Sequence, residues 1–391
     1  MLGIMLCFLY RTSLSQTHRQ ITTISRIPLH LVFVSVQNQN SWLSVKYMST
    51  TSNVSSFAAS YLINTCGFSP EKAALASKYL KFKTREKPDF RIEFFKKHGF
   101  SETQVLSMIR EVPQLLRLNP EKNLLPKIQF FKSRGILCSD IPKIIGSCPN
   151  VLRRSLEKQI IPSFDFWLRL FRSEEKFIKV IKRYSGILFD LDTYVVPNIK
   201  VLREVGVPES NIVKLLEWHP QVFARKHDRF KEMVAQVKEM GLDPMMAVFV
   251  FAIGTMASLS KSSWIKKADL YKKWGWSDEE LLAAFGRYPQ CMTVSEDKIE
   301  KTMEFLINEM GCESSTIARN PSLLGMSFNR RIVPRASVFQ VLLSKGLVKK
   351  LSLWQLFFPS ENAFLKKFIM HHENEANELF RLYQAKMDVK G

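Results

Sequence analysis

The chain has 391 residues, 46% of them apolar, with 57 Lys and Arg against 36 Asp and Glu and a net charge of +21. That length exceeds a single compact core, the apolar share excludes a disordered chain, and six cysteines with no Cys-x-x-Cys pair exclude a disulfide framework and a structural zinc site. A fold this basic repels itself unless a polyanion is its partner, which puts nucleic acid ahead of an anionic membrane surface and of charge kept for solubility alone.

The chain opens on an acid-free stretch. Arg11, Arg19, Arg26 and Lys46 precede the first acid, Glu71, among many Ser and Thr. Residues 1–50 therefore read as an organellar transit peptide, mitochondrial by the spread of its arginines, with the chloroplast as the alternative. The apolar runs at 1–10 and 31–36 are too short to span a bilayer, and no later stretch approaches the length of one, so no integral membrane association is expected. Without the four leader cations, 53 basic residues stand against 36 acidic ones, so the remainder still carries +17.

From residue 54 to 370 the chain repeats. Gly67, Gly99, Gly135, Gly206, Gly241, Gly275, Gly311 and Gly346 are separated by 32, 36, 71, 35, 34, 36 and 35 residues, with Phe171 where the double step lacks its glycine. Fourteen residues after four of these glycines comes a proline: Pro113, Pro149, Pro220 and Pro289. Each opens a short apolar run (Pro113-Gln-Leu-Leu, Pro149-Asn-Val-Leu, Pro220-Gln-Val-Phe, Pro289-Gln-Cys-Met), and Pro321-Ser-Leu-Leu joins them although it lies ten residues after Gly311.

The punctuation predicts the local structure. An amphipathic stretch such as 127–135 is a first helix, closed by a left-handed glycine cap. A second helix starts on Ser69, Ser101, Ser173, Asp243 or Ser277, with capping boxes at Ser101-Glu-Thr-Gln104 and Ser277-Asp-Glu-Glu280. The proline stops it for want of a backbone donor, and Asn119, Ser155, Ser295 and Ser327 cap the next unit. Pro126, Pro162, Pro197 and Pro334 fall inside the first helix and imply either a kink or two short helices. No period-two segment of any length occurs. The fold class is all-α: a superhelical α-solenoid of about nine helical repeats of roughly 35 residues, followed by a charged C-terminal tail over 371–391.

This array resembles the mitochondrial transcription termination factor family. The stretches Ser60-Tyr-Leu-Ile-Asn64, Lys87-Pro-Asp89, Asn119-Pro-Glu-Lys122 and Ser155-Leu-Glu-Lys-Gln-Ile-Ile-Pro162 are similar to its plant organellar branch. The resemblance implies a stack of helical repeats whose concave basic surface holds double-stranded DNA, with structured organellar RNA as the substrate of some relatives. It implies roles in termination, initiation or RNA maturation, including intron splicing. Departures fall at Ser185, at Thr255 and at Pro359, where the marker proline is replaced or displaced, and these units are expected to be weaker.

The candidate contacts form a column. Nine residues after each marker proline stands Lys122, Lys158, Arg229, Lys298 or Arg330, each preceded by an acid or Asn; Tyr194 breaks the series in the Ser185 unit. Equivalent positions of a solenoid share a face, and regular charge along a groove suits phosphates. Arg153, Arg154, Arg225, Lys226 and Arg331 lie nearby. The bland alternative is a solvated first helical turn, in which the neighbouring acid suits the dipole. Tryptophans at 167, 218, 264, 274, 276 and 354 are expected mainly in the core rather than stacked on bases.

Neither a metal nor a cofactor is expected: His371-His372-Glu373 lies in the tail, and His219 and His227 lack zinc spacing. The absence of a P-loop, G-x-G-x-x-G, H-E-x-x-H or nucleophile elbow leaves no catalytic residue to name. Two further readings stand beside a monomeric binder of duplex DNA or structured RNA. A pentatricopeptide-like RNA reader shares the period but lacks the Pro-x-Leu-Leu turn. A tetratricopeptide-like protein scaffold has no use for +17.

Overall fold

The computed structural model describes residues 57–188, 191–349 and 352–388; the expected transit peptide at 1–50 lies outside them. Every regular element among the described residues is helical, so the fold is an all-α helical repeat. No single described helix is long and apolar enough to cross a membrane. The chain divides into two compact units, one ending at Phe166 and the other beginning at Trp167.

The glycine ruler sets where the first helix of each repeat ends. All eight marker glycines have φ between 63° and 89°, the region that costs an L-residue most. Past Gly99 the N–H of Phe100 reaches back to the Phe95 carbonyl (3.2 Å), while Gly99 itself donates to Lys96 (3.0 Å). The same pair of bonds recurs at Gly135, Gly206, Gly275 and Gly346. After Gly99 and Gly275 the following aromatic residue packs on the residue that its N–H grips. The rings of Phe95 and Phe100 lie 5.2 Å apart and those of Tyr271 and Trp276 stack at 4.4 Å. In the unit without a glycine the left-handed residue is Arg172 (φ 52°), one position beyond Phe171, where the sequence placed it.

The second helices stop as expected. Glu102–Glu111, Ile141–Ser147, Glu209–Trp218, Asp278–Arg287 and Ser314–Arg319 each end two residues before a marker proline. The intervening residue, Val112, Cys148, His219, Tyr288 or Asn320, is pushed out of the helical region by the proline ring. Each proline then opens a 3₁₀ turn whose two apolar side chains are buried, as Leu115 and Leu116 are in Pro113–Arg117. Where Thr255 replaces the proline, its N–H lets the helix Ala247–Ser258 run on without a 3₁₀ turn. Ser185 keeps one, Ser185–Leu188. Successive second helices pack on one another: Glu102–Glu111 on Ile141–Ser147 in the first unit, and Glu174–Arg183, Glu209–Trp218, Ala247–Ser258, Asp278–Arg287 and Ser314–Arg319 in series in the second.

Both expected capping boxes form, and a third lies at Ser352 and Gln355. Two caps differ from expectation. Asp243 accepts from Met245 within a turn (2.9 Å), and the helix begins later, at Ala247. Ser295 occupies the cap with no side-chain bond.

At the internal prolines a π turn runs directly into an α-helix. Pro126, Pro162, Pro197 and Pro334 each follow a single wide π turn: Pro120–Leu124, Leu156–Ile160, Leu191–Val195 and Phe328–Ile332. A proline in a helix clashes with the carbonyl four residues back. Widening the preceding turn, so that Leu125 N–H bonds Pro120 O across five residues, moves that carbonyl aside. First helices without this proline, His227–Glu239 and Lys261–Lys273, begin directly as α.

Residues 371–391, expected as a charged tail, hold a further helix, Ala376–Met387, packed on Val333–Ser344. Leu379 and Tyr383 are buried, the Tyr383 hydroxyl donates to Glu361 (2.7 Å), and Lys345 pairs with Glu375 and Glu378.

Candidate nucleic-acid interface

The basic column starts from the caps. Asn119, Ser155 and Ser327 accept from the backbone N–H of Lys122 (2.9 Å), Lys158 (3.2 Å) and Arg330 (3.2 Å), which puts these residues at the third helical position. Their backbones are committed to the cap and their side chains point to solvent. Lys122 and Lys158 are exposed in the first unit; Arg229 and Arg330 are exposed in the second. Arg229 lies 3.6 Å from the Glu232 carboxylate, a pair both of whose side chains face water.

Lys298, at the equivalent position, is half-buried. Its ammonium donates to the Gly325 carbonyl (3.0 Å), and burial lowers its pKa. Arg331 is likewise turned inward, donating to Phe357 O (3.0 Å) and Pro359 O (2.7 Å); burial first, then the neighbouring Arg335, lowers its pKa. Arg225 donates to the Ala257 carbonyl. Arg154 is half-buried. Arg153 and Lys226 are exposed, Arg153 being within 3.4 Å of the Asn150 side chain. Among the ten expected contact residues, the structure thus presents Lys122, Arg153 and Lys158 in one unit and Lys226, Arg229 and Arg330 in the other, while Arg225, Lys298 and Arg331 donate into the fold.

A second series of inward-turned donors, at another repeat position, was not read from the sequence. Lys127 donates to the Leu152 carbonyl (2.7 Å), Asn198 to Phe223 (2.9 Å) and Lys267 to Met292 (2.8 Å), each reaching 25 residues ahead. Arg91 reaches Leu118 (2.9 Å) in the same way, and in the last repeat Arg335 reaches Phe357 (3.2 Å) and Pro359 (2.8 Å). The acceptors lie in or just beyond the turn that closes the repeat, where carbonyls lack a helical partner. Each donor therefore clasps the first helix of a repeat to its closing turn. Burial lowers the pKa of Lys127 and Lys267, the cost of holding an ammonium in the core. One signal was available: Arg91, Lys127, Asn198 and Lys267 all stand 22 residues before a marker proline.

The tryptophans divide. Trp167, Trp264 and Trp276 are core and Trp274 is half-buried, whereas Trp218 (51% exposed) and Trp354 (62%) are not covered. Trp354 stacks on Phe358 at 4.1 Å and Trp218 leans on Phe251 at 5.0 Å. No cluster of three His, Cys, Asp or Glu side chains able to hold a metal occurs among the described residues.

Comparison with known proteins agrees with the repeat. The mTERF family model matches residues 92–253 and 252–365. "Transcription termination factor MTERF8, chloroplastic" of Arabidopsis thaliana is 24% identical over 195 residues, which cover 50% of this chain and 38% of that protein. "Transcription termination factor MTERF15, mitochondrial" of the same plant is 23% identical over 197 residues, covering 50% and 43%. The matched region spans about two-fifths of either relative's length.

Proposed function

This chain belongs to the mTERF family, and from that premise we propose that it is a non-catalytic organellar factor that binds double-stranded DNA and acts in transcription. The observation that carries the reading is the exposed cation at the third position of successive first helices. The N-terminal end of a helix is positive, so folding favours an acid there. Lys122, Lys158, Arg229 and Arg330 oppose that preference, and among the described residues their side chains are exposed, Arg229 beside Glu232. Phosphate contact accounts for them.

Transcription is the process named in both relatives, and their compartments are the chloroplast and the mitochondrion. With the acid-free, arginine-bearing leader, we place this chain in the mitochondrion. The test is binding of the mature chain to blunt duplex DNA, duplex RNA and single strands over a range of salt, beside a crosslinking map of organellar nucleic acid. The reading expects duplex DNA to bind with a steep salt dependence. Stronger binding of duplex RNA would move the function to RNA maturation; failure to bind any of the three would refute it.

A further inference from the structure

The first repeat carries a cationic segment at its closing turn. Between helix Pro70–Ser77 and helix Glu86–Lys97 there is no marker proline; residues 78–85 read Lys78-Tyr-Leu-Lys-Phe-Lys-Thr-Arg85 instead. Four cations and two rings occur in eight residues with no acid. This segment forms one wall of an open cleft of about 550 Å³, wholly inside the first unit. Lys78, Lys81, Lys87, Arg91 and Arg117 line it, with Leu116 as its apolar lining. No carboxylate lines it.

The cleft is built rather than incidental. Arg91 is anchored by bonds to Leu118 O (2.9 Å) and Lys87 O (2.6 Å), which fix it against the two segments that carry Arg117 and Lys87. The Phe82 ring is held edge-on by Tyr61 (5.4 Å) and Phe57 (6.3 Å). Tyr79 lines the same cleft, 37% exposed. Rings supported in a cation-lined recess are what stacking of a base with capture of its phosphate requires. The volume lies in the ~300–1,000 Å³ range of small-ligand sites, enough for a nucleotide and too small for a duplex.

We propose that this cleft binds one unstacked nucleotide of a single strand, its base against Tyr79 and Phe82 and its phosphate among Lys81, Lys87 and Arg117. The assignment rests on the nucleic-acid reading above and adds a single-strand subsite to it. The phosphate is either internal to a strand or at its end, and the two share this chemistry.

The experiment measures fluorescence anisotropy of the mature chain with a blunt DNA duplex, the same duplex bearing a single-stranded overhang, and short single strands with and without a 5′-phosphate. Wild type is expected to prefer the overhang to the blunt duplex. Tyr79→Ala should weaken single-strand and overhang binding by about five-fold or more, with rescue by Tyr79→Trp. The triple variant Lys81→Gln, Lys87→Gln, Arg117→Gln should lower the single-strand salt slope by about 2, at roughly 0.7 per contact. Both should leave blunt-duplex binding and the melting curve unchanged. A preference for the 5′-phosphorylated strand that the triple variant abolishes identifies a strand end; equal affinities identify an internal nucleotide. Equal loss of blunt and overhang binding would overturn the subsite while leaving the duplex reading intact. Loss confined to anionic phosphatidylserine vesicles would overturn it in favour of a membrane contact. No binding of any nucleic acid by wild type would overturn both readings.

Discussion

The Lys127 ammonium, with its residue only 6% exposed, donates to the Leu152 carbonyl at 2.7 Å and to Asn123 O at 2.9 Å. One side chain thereby ties the start of a repeat to the turn that ends it. Lys127→Met keeps the stem and removes the donor. The stranded Leu152 carbonyl costs about 1–3 kcal/mol, and release from holding a buried charge returns part of it, so a net loss near ~1 kcal/mol is expected. Denaturant melts of Lys127→Met beside the surface control Lys132→Met check this. Equal midpoints for the two variants would mean that the clasp contributes nothing.

Arg172 is the one non-glycine residue with positive φ among the described residues. A left-handed L-residue costs roughly 1–2 kcal/mol, while glycine loses about 0.4–1 kcal/mol more chain entropy on folding. Arg172→Gly should therefore stabilise the chain by about 0.5–1 kcal/mol. Gly206→Ala should do the reverse by a similar amount, because no atom lies within 4 Å of the added Cβ and only the backbone term remains. A fall in melting temperature for Arg172→Gly would show that the arginine makes a contact worth more than its strain.

These cases show what the sequence could and could not disclose. The glycines, the marker prolines and most caps were legible because each backbone conformation excludes most other residue types. Arg172 was not, since a strained arginine carries no signature of its strain. The wide turns were legible in principle: each internal proline lies seven residues after its cap or the position equivalent to it, and the clash it must avoid dictates the extra residue. The candidate site was half legible. Lys122 and Lys298 occupy one repeat position, yet Lys298 finds the Gly325 carbonyl and Lys122 faces solvent. Such a difference is set by the next turn in space, not by the local pattern. The cleft at Lys81 was not legible because its segment lacks the proline that marks five of the other turns.

His219 supplies a pH signature. It is the residue displaced from the helix by Pro220, and its ring lies over Gly254, where an added Cβ would fall 2.6 Å from Cδ2. Burial, then the nearby Arg183, lowers its pKa. The unfolded chain, with its histidine near about 6.5, then binds more protons between the folded and unfolded values. The stability contributed by neutral His219 is present above about 6.5 and is lost as the pH falls through the folded value. Urea midpoints should drop between neutral and mildly acid pH, and His219→Gln should flatten that drop. Gly254→Ala should lower stability at every pH by driving the ring out. A pH profile identical in wild type and His219→Gln would refute the assignment.

The last prediction separates cations that serve the fold from cations that serve a ligand. Lys122, Lys158, Arg229 and Arg330 are exposed to solvent. If each meets a phosphate of duplex DNA, changing all four to Gln should reduce the slope of log affinity against log salt by about 3 to 4, at roughly 0.9 per contact. The melting temperature should hold or rise slightly, since a cation leaves the positive end of each helix. Lys298→Met should behave oppositely. Its ammonium is engaged by Gly325 O at 3.0 Å, so the salt slope should stay unchanged while the melting temperature falls. The two variants change the same repeat position, so a common effect of altered net charge would move both slopes in proportion to the charge removed. A slope that falls for the four-residue variant alone assigns the phosphate contacts to the exposed members of the column. An unchanged slope would return those residues to solvent and shift the search for the DNA contact to Arg153 and Lys226.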